Sequence, residues 1–210
     1  EIDATIADVH IVSEFRRNYC IGKPTIYAVT DKASRMITGI HVSLENASWK
    51  AARQALINAF TSKIDFCSRH GINITDDEWP CYHLPYSLLC DRGEMISDKA
   101  EKAVVPYMHL KIAPPYRADF KGIVERRFGL LNDELLHYLQ GTTKGGKHTR
   151  GEIDPRHEAV YTLKEITTLI IQEVLTHNNK INKELAKETT LLIKHDLAPT
   201  PLNYWNIHTH

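Results

Sequence analysis

The chain has 210 residues, of which 42% are hydrophobic and 25% are charged. This size suits one large or two small globular domains, and no apolar run approaches the roughly 18 residues that a membrane-spanning helix needs. Lys and Arg total 26, as do Asp and Glu, so the formal net charge is +0 and any polyanion site must be a local patch. Composition therefore excludes a disulfide-stapled miniprotein, a membrane-inserted chain and wholesale disorder.

The cysteines are widely separated and form no CxxC pair, which favours buried free thiols in a reducing cytosol over disulfides or structural zinc. They are Cys20, Cys67, Cys81 and Cys90. The chain begins at Glu1, already inside a strand-like alternation and without the features of a signal peptide. We interpret residues 1–210 as a single domain excised from a longer protein.

The first half of the chain changes its hydrophobic period once. Alternation over Ile2–Val12 predicts a strand, and two further strands over Thr25–Thr30 and Met36–Leu44 complete an antiparallel meander. Apolar residues then recur at intervals of three and four as far as Cys67, which predicts one long helix with Ser48 as its N-cap and Gly71 as its stop.

The second half alternates strands and helices. The pattern predicts, in order, a strand at Tyr86–Cys90, a short helix from Ser97 to Val104, a strand at Met108–Ala113, long helices from Lys121 to Leu139 and from Leu163 to Leu185, and an irregular tail at 198–210. A glycine-rich basic stretch at 141–151 predicts a mobile loop. The order of elements implies a mixed sheet with helices on its faces.

Three carboxylates fall where strands and helices end or begin. Asp3 lies on the first predicted strand, Asp91 follows the fourth, and Glu125 lies near the start of the helix after the fifth. If the first and fourth strands are neighbours, these acids meet at one edge of the sheet. Converging carboxylates repel one another unless cations lie between them, and Mg²⁺ or Mn²⁺ suits such oxygen ligands.

In five segments the chain resembles the DDE transposase and retroviral integrase superfamily, and within it the TnsB-type transposases. The segments are IDAT at 2–5, TDKASRMITG at 30–39, LLCDRG at 88–93, APPYRADFKGIVERRFGLLN at 113–132 and TPLNYW at 200–205. Three of them contain Asp3, Asp91 and Glu125 in the family's order, and the 33 residues between the second and third acids are close to the family's spacing.

The resemblance implies an α/β fold: an RNase-H-like mixed sheet of five strands in the order 3-2-1-4-5, with helices on both faces. It also implies a catalytic core in which Asp3, Asp91 and Glu125 bind two Mg²⁺ ions, for which Mn²⁺ can substitute. Such a core cleaves the 3′ ends of a transposon and joins the resulting 3′-hydroxyls to target DNA.

Cations beside the third acid are candidates for binding DNA phosphates. They are Lys121, Arg126 and Arg127, and Asn132 lies on the same helical stripe as Glu125. Retroviral integrases have lysines along that stripe, whereas this chain has Gly129 and Asn132, so the DNA contacts of the integrases do not carry over directly. A solvated helix face explains Lys121 and Arg126 equally well. The terminal histidines have no evident role.

Other acids compete with this triad. Asp8 competes with Asp3 on the same predicted strand, but we expect it to be solvated, and we expect Asp31 to form a turn. An RNase-H-like nuclease that only hydrolyses DNA is an alternative, with Glu165 or Glu173 as the fourth acid such enzymes carry on a late helix. A non-catalytic DNA-binding remnant is another, although it would be expected to have lost one acid.

The resemblance further implies partners. These are transposon-end and target DNA, other copies of the protein in a synaptic complex, an endonuclease subunit that cuts the 5′ strand, and an AAA+ ATPase regulator. It also implies a bacterial cytoplasmic protein associated with the nucleoid.

Overall fold

The structure, a computed structural model, describes residues 1–90, 102, 104–112, 128–129, 131, 133, 135–144, 151, 153–188 and 190–209. Its strands are β1 (Ile2–Ile6), β2 (Ile11–Val12), β3 (Cys20–Gly22), β4 (Thr25–Thr30), β5 (Ile37–Ser43), β6 (Ser87–Cys90) and β7 (His109–Ile112). Its helices are α1 (Trp49–Ala59), α2 (Ile64–Arg69), α3 (Pro155–Glu158), α4 (Leu163–Asn179), α5 (Leu185–Glu188), α6 (Leu191–Lys194) and α7 (Pro201–Thr209). Short 3-10 helices lie at Asp76–Glu78 and Leu136–Tyr138.

The centre of the fold is an antiparallel sheet in the order β1-β4-β5. All six residues of the middle strand, β4, are buried, so both faces of the sheet must be covered. Cross-strand partners share a face: Asp3 pairs with Ala28, and Ala28 pairs with Ile40. The predicted meander of the first three strands is confirmed.

Helix α1 covers one face, which we call the α1 face. The Ser48 hydroxyl caps this helix by accepting a hydrogen bond from the Ala51 backbone N–H at 3.3 Å, as the sequence predicted. Small buried residues of α1, with Leu56, pack against Ile2, Tyr27 and Val29 of the sheet. Gly39 of β5 and the alanines of α1 let the helix lie close to the sheet. A Cβ atom added to Gly39 would lie 2.5 Å from the Ala59 backbone.

Helix α4 covers the opposite face, which we call the α4 face. Its N-terminus has a capping box, in which Thr162 accepts from the Glu165 N–H and Glu165 accepts from the Thr162 N–H. Its apolar stripe, formed by Ile166, Ile170, Ile171 and Val174, belongs to one core cluster with Ile26, Ala28 and Ile40 of the sheet. Phe128 and Leu136 are buried in the same cluster.

Strands β6 and β7 pair in parallel, from Ser87 with His109 to Cys90 with Ile112. Leu88 and Cys90 of β6 are buried together with Ile2 of β1, and β6 lies in contact with β1. Among the described residues, β1, β4 and β5 form one hydrogen-bonded sheet, and β6 and β7 form another beside it. Strands β2 and β3 form a third, separate pair. The continuous five-stranded order 3-2-1-4-5 stays a prediction.

Two predicted elements prove to be interrupted. The strand expected over Ile2–Val12 ends at Ile6. The Ala7 N–H still bonds to the Pro24 carbonyl, but proline has no N–H to donate in return, and the chain then turns to pair β2 with β3. The helix expected from Ser48 to Gly71 breaks between α1 and α2. The break lies at Lys63, which is N-terminal to α2 and whose side chain binds carbonyl groups there.

The C-terminal third also differs from expectation. The helix expected to reach Leu185 ends at Asn179, and the tail expected to be irregular contains α7. The hydroxyl of Thr200 accepts from the Asn203 N–H at 3.1 Å, and Pro201 begins the helix. Threonine followed by proline is a helix-start signal that the sequence contained.

The thiols are all free, as predicted, and three of the four are buried. Burial raises the pKa of the Cys67 thiol to about 11 and that of the Cys81 thiol to about 12. Of the helix predicted from Ser97 to Val104, the structure describes only Lys102 and Val104, and both are helical. The first part of the helix expected from Lys121 lies outside the described residues. In the part of the chain that the structure describes, no helix has the length and apolar character to cross a membrane.

Lys63 is a fully buried cation at the break between α1 and α2. Its ammonium group donates to the carbonyl of Thr61 at 2.6 Å and to that of Cys81, and it lies 5.6 Å from the centre of the Trp79 ring. Burial lowers the pKa of Lys63 from 10.5 to about 8. In the folded protein Lys63 is therefore charged below about pH 8 and neutral above it.

Replacing Gly39 with Ala should lower the free energy of unfolding by about 2 kcal/mol or more, because the new methyl group meets the Ala59 backbone. Gly129→Ala is the matched control. Gly129 is helical with open space around its Cβ position, so alanine there should be neutral or stabilising by up to about 1 kcal/mol. Urea unfolding of both variants measures the contrast, and equal effects would contradict the close packing of α1 on β5.

Lys63→Met should reveal a pH-dependent contribution to stability. Between pH 8 and 10.5 the unfolded state holds a proton on Lys63 that the folded state has lost, so the stability due to this residue rises with pH. The unfolding free energy of wild type minus that of the variant should increase across this window by up to about 3 kcal/mol. The Lys63 charge lowers the pKa values of the Cys67 and Cys81 thiols, but both thiols stay protonated in the folded protein up to pH 10, so their contributions cancel in this difference. Urea titrations from pH 7 to pH 10 test it, and a constant difference would show that Lys63 does not titrate as expected.

Candidate functional site

Asp3 is half-buried in β1, one residue beyond the start of the strand. Its register partner is Ala28, which belongs to the core cluster on the α4 face. Ile2 and Ala4, its neighbours in sequence, pack in the cluster on the opposite, α1 face. The alternation of the strand therefore directs Asp3 to the α4 face.

The second acid, Asp91, directly follows the last residue of β6, Cys90. Asp91 itself lies outside the described residues. The described part of β6 nevertheless lies beside β1, the strand of Asp3, with Leu88 and Cys90 packed against Ile2. The first and fourth strands predicted from the sequence correspond to β1 and β6. Convergence of the acids requires these strands to be neighbours, and the structure shows them in contact.

Glu125 also lies outside the described residues, as do the four candidate DNA contacts Lys121, Arg126, Arg127 and Asn132. Their roles stay predictions. The described residues that follow Glu125 are informative, because Phe128, Gly129, Leu131 and Asp133 are helical. Phe128 is buried in the cluster of the α4 face, so this helical segment packs on the face to which Asp3 points.

Asp8 is not the solvated acid that we expected. It is half-buried, and Oδ2 lies 3.2 Å from Nε2 of His137, while Oδ1 lies 3.4 Å from the Lys23 ammonium and 3.3 Å from the Thr143 hydroxyl. Partial burial alone would raise the pKa of Asp8. The hydrogen bond with His137 and the charge of Lys23 outweigh that effect and hold the pKa below its ordinary value.

The network around Asp8 joins residues that lie far apart in the sequence. The Thr143 N–H and the Thr142 hydroxyl both donate to the Asp8 carbonyl, at 2.8 and 2.9 Å. The sequence placed Asp8 inside one long strand and held no local sign of these distant partners, so sequence reasoning missed this network. The first residues of the stretch predicted to be a mobile basic loop, 141–144, are held in place by these bonds, whereas 145–150 lie outside the described residues.

Three other acids were candidates in the sequence: Asp31, Glu165 and Glu173. Both the N–H and the hydroxyl of Ser34 donate to the Asp31 carboxylate, at 2.8 and 2.6 Å, which confirms Asp31 as a turn former. Glu165 completes the capping box of α4 and pairs with Arg17, and these partners hold its pKa below the ordinary value. Glu173 lines a small cavity of about 30 Å³ beside Phe128.

A metal site cannot be assembled from the described residues alone. Among them, no group of three or more His, Cys, Asp or Glu side chains could hold a metal ion. Asp3 is the only member of the predicted triad in the described part of the chain. A divalent-metal site on the α4 face therefore depends on Asp91 and Glu125.

Comparisons with known proteins agree with the resemblance seen in the sequence. The chain is 42% identical over 183 residues to the transposon Tn7 transposition protein TnsB of Escherichia coli. The aligned region covers 86% of this chain but 26% of that protein, so the chain spans about a quarter of its relative's length. The family model described as the TnsB C-terminal domain matches residues 1–141, a segment that contains Asp3, Asp91 and Glu125. The chain therefore belongs to the TnsB C-terminal domain family.

Proposed function

We propose that this chain is the catalytic core of a DDE transposase that cleaves transposon 3′ ends and joins them to target DNA. The observation that carries the proposal is the position of Asp3. It lies on the α4 face of β1, beside β6 and on the face where Phe128 packs. In the sequence, Asp91 directly follows β6 and Glu125 precedes Phe128 by three residues.

The alternation of β6 supports convergence of the second acid. Leu88 and Cys90 are buried on the α1 face, so Ser87 and Leu89 are directed to the opposite face. Asp91 is the next residue in that alternation. Continuing the strand by one residue would direct its carboxylate to the face of Asp3.

Helical spacing supports convergence of the third acid. Glu125 precedes Phe128 by three residues, and side chains three apart on a helix share a face. Phe128 is buried against the α4 face of the sheet. A helix that begins near Lys121, as the sequence predicts, would bring Glu125 to the same side as Phe128, one turn nearer its N-terminus.

Three carboxylates form a donor set that fits Mg²⁺ or Mn²⁺. Asp3 is half-buried rather than enclosed, so an ion can reach it. Asp3, Asp91 and Glu125 would hold two ions. When bound, the ions would neutralise the charge that develops on the phosphate and would make water a nucleophile near neutral pH.

The protein's own contribution is positioning. In the first step water attacks the phosphorus at the transposon end, the bond to the 3′ oxygen breaks, and that oxygen leaves as a 3′-hydroxyl. In the second step this hydroxyl attacks a target phosphate in line and displaces the target's own 3′ oxygen. Both displacements need fixed geometry more than proton transfer by a side chain, and a strand in a buried sheet is a rigid support for Asp3.

One structural observation favours the transposase over a nuclease that only hydrolyses DNA. The nuclease alternative needs a fourth acid on a late helix, and Glu165 is already engaged by Arg17 and by the N-terminus of α4. Glu173 lines a small cavity on the α4 face with Phe128 and Ile170, and its position does not distinguish the two activities.

The relative's name describes a transposition protein, and we extend that role to this chain as part of the proposal. Its substrates would be transposon-end and target DNA, contacted through Lys121, Arg126, Arg127 and Asn132. Further copies of the protein, a 5′-strand endonuclease and an AAA+ ATPase would complete the assembly in the bacterial nucleoid. The formal charge of +0 suits a core whose sequence-specific DNA affinity comes from other parts of a longer protein.

Asp3→Asn should abolish both 3′-end cleavage and joining of pre-cut ends, with a loss of at least about 1000-fold, because one pair of ions serves both steps. Asp154→Asn is the matched control. Asp154 is paired with Arg156 on the surface, and its replacement should leave both rates unchanged. Gel assays with Mg²⁺ on end-containing DNA measure each step. Loss of cleavage with joining at the wild-type rate would contradict a shared site.

Glu125→Gln should relieve repulsion among the three carboxylates when metal is absent. In chelator, we expect the variant to melt at the same temperature as wild type or higher. At low salt its free energy of unfolding should be higher by on the order of 1 kcal/mol. Millimolar Mg²⁺ should then raise the melting temperature of wild type more than that of the variant. A variant that is strongly destabilised in chelator and equally shifted by Mg²⁺ would make Glu125 a structural residue.

A further inference from the structure

We propose that the tip of the β2-β3 hairpin, residues 14–19, is a second DNA-binding surface, separate from the metal site. In it Phe15 stacks on a base and Arg16 binds a neighbouring phosphate. The inference rests on the proposed function, because it names a further surface through which the transposase core holds its DNA. The observation behind it is a fully exposed aromatic side chain beside an exposed arginine, on a turn that the fold holds in place.

The tip presents two aromatic rings to solvent. Every residue from Glu14 to Tyr19 is exposed. Phe15 exposes 98% of its surface, more than any other large hydrophobic residue in the described part of the chain, and Tyr19 exposes 64%. Neither ring belongs to the core clusters on the two faces of the sheet. Packing within the fold therefore gives no reason for an aromatic residue at either position.

Hydrogen bonds within the hairpin give the tip a defined shape. The Tyr19 N–H donates to the Arg16 carbonyl, and the Ser13 N–H donates to the Tyr19 carbonyl, both at 2.9 Å. The Phe15 N–H donates to the Ser13 hydroxyl at 3.2 Å. The exposed rings thus stand on a closed turn, and their backbone is already ordered before any partner binds.

The hairpin is also tied to the N-terminus of α4. At its base, the Val12 N–H donates to the Tyr161 carbonyl at 2.8 Å. At its tip, the guanidinium of Arg17 donates to the Glu165 carboxylate of α4 and to the Val160 carbonyl. A surface held in this way loses little conformational freedom on binding, so its contacts contribute more fully to affinity.

The two arginines of the tip have different roles. Arg17 is used to hold the hairpin, whereas the Arg16 guanidinium forms no hydrogen bond or ion pair with the described residues. Glu14 is the acid of the tip, and it lines the cleft between α2 and α4 together with Arg69 and Lys164. The charge of Glu14 therefore lies on the side of those cations, and Arg16 gives the tip a cation available to a phosphate.

The chemistry of the tip fits DNA better than an apolar protein surface. Phe15 and Tyr19 are separated by two arginines and an asparagine, so they form no continuous apolar patch. An aromatic ring can stack on any base, and an arginine beside it can bind the adjacent phosphate. Because the phenylalanine ring has no hydrogen-bonding atom, it cannot read base edges. We therefore expect contact without sequence preference.

Stacking requires a base whose face is open. In continuous duplex DNA the faces are covered by neighbouring base pairs, whereas a nick, an unpaired strand or a kinked step exposes them. The proposed reaction produces such places twice, because cleavage interrupts the DNA at the transposon end and joining interrupts the target. The surface should therefore prefer interrupted DNA over continuous duplex, and the flank of the end and the target are its two possible sources.

The tip lies within reach of DNA bound at Asp3. Phe15 follows Asp3 by twelve residues, so the two are at most about 41 Å apart. Duplex DNA spans that distance in about twelve base pairs, at about 3.4 Å for each. Helix α4, to which the hairpin is tied, covers the face of the sheet to which Asp3 is directed. The same DNA can therefore contact both sites.

Photo-crosslinking of the full-length transposase in EDTA tests the contact without catalysis. One probe series has 5-iodouracil at single positions in the unpaired flank of a transposon end, and the other has it beside a nick in target DNA. Irradiation links this base to an aromatic ring stacked on it. We expect a crosslink to Phe15 in one series, within about twelve base pairs of the cleavage or joining point. That series identifies the source, and no crosslink in either would overturn the inference.

Affinity measurements in EDTA supply the second readout. Phe15→Ala should lower the affinity for the crosslinking probe about tenfold, with little change on continuous duplex, and Phe15→Tyr should keep the wild-type affinity. Arg16→Ala should reduce the slope of log affinity against log salt by about one. The matched controls are Tyr107→Ala, at another exposed aromatic residue, and Arg53→Ala, at an exposed residue of α1 on the opposite face. Both should leave affinity and slope unchanged.

Three further outcomes would overturn the inference. The first is wild-type affinity in Phe15→Ala, whose melting temperature should equal that of wild type because the ring is exposed. The second is an equal loss on interrupted and continuous DNA, which would exclude stacking on an open base. The third is impaired assembly of subunits with unchanged affinity for a single end, measured by sedimentation, which would make the tip a protein contact.

Asp3→Asn remains the separate test of the proposed function. An active Asp3→Asn enzyme would show that the metal site is wrong, whatever the hairpin binds. An inactive Asp3→Asn enzyme, together with wild-type DNA binding by Phe15→Ala, would remove only the hairpin contact.

Discussion

The rest of the structure depends on the burial of strand β4. Every residue from Thr25 to Thr30 is buried, so neither face of the sheet can remain in contact with water. Helix α1 covers one face with small residues that allow close approach, and α4 covers the other with branched aliphatic ones. Because β1 pairs with β4 in a fixed register, this two-sided burial also decides which face each residue of β1 occupies. Asp3 is directed to the α4 face as a consequence.

A second constraint operates where β1 ends. The chain leaves the sheet after Ile6, and Asp8 then contacts groups from the loop before β4 and from residues 137–143. These contacts close the fold between its first residues and a segment more than 120 positions later. Polar groups are suited to this task, because hydrogen bonds specify partners and positions that apolar packing leaves free.

The net charge of the chain is zero, and several of its cations are engaged in contacts within the fold. Lys63 is buried and binds carbonyl groups at a helix break, Lys23 pairs with Asp8, and Arg17 pairs with Glu165. These cations stabilise the fold and are not spare charges for DNA. In the proposed transposase, affinity for phosphates would come from the cations beside Glu125, from Arg16 and from parts of the longer protein outside this chain.

The sequence by itself determined the meander of β1, β4 and β5, the N-cap at Ser48, the turn at Asp31 and the family, because these depend on local periodicity, short-range hydrogen bonds or motif order. The start of α7 at Thr200 was also local, although we did not predict it. The tertiary structure alone decided the break of the first strand after Ile6, the burial of Lys63, and the contact of Asp8 with His137. Each of these depends on partners far away in the chain, such as Pro24, Cys81 and Thr143, and no pattern within a short window of sequence encodes which distant group will arrive to satisfy a polar one.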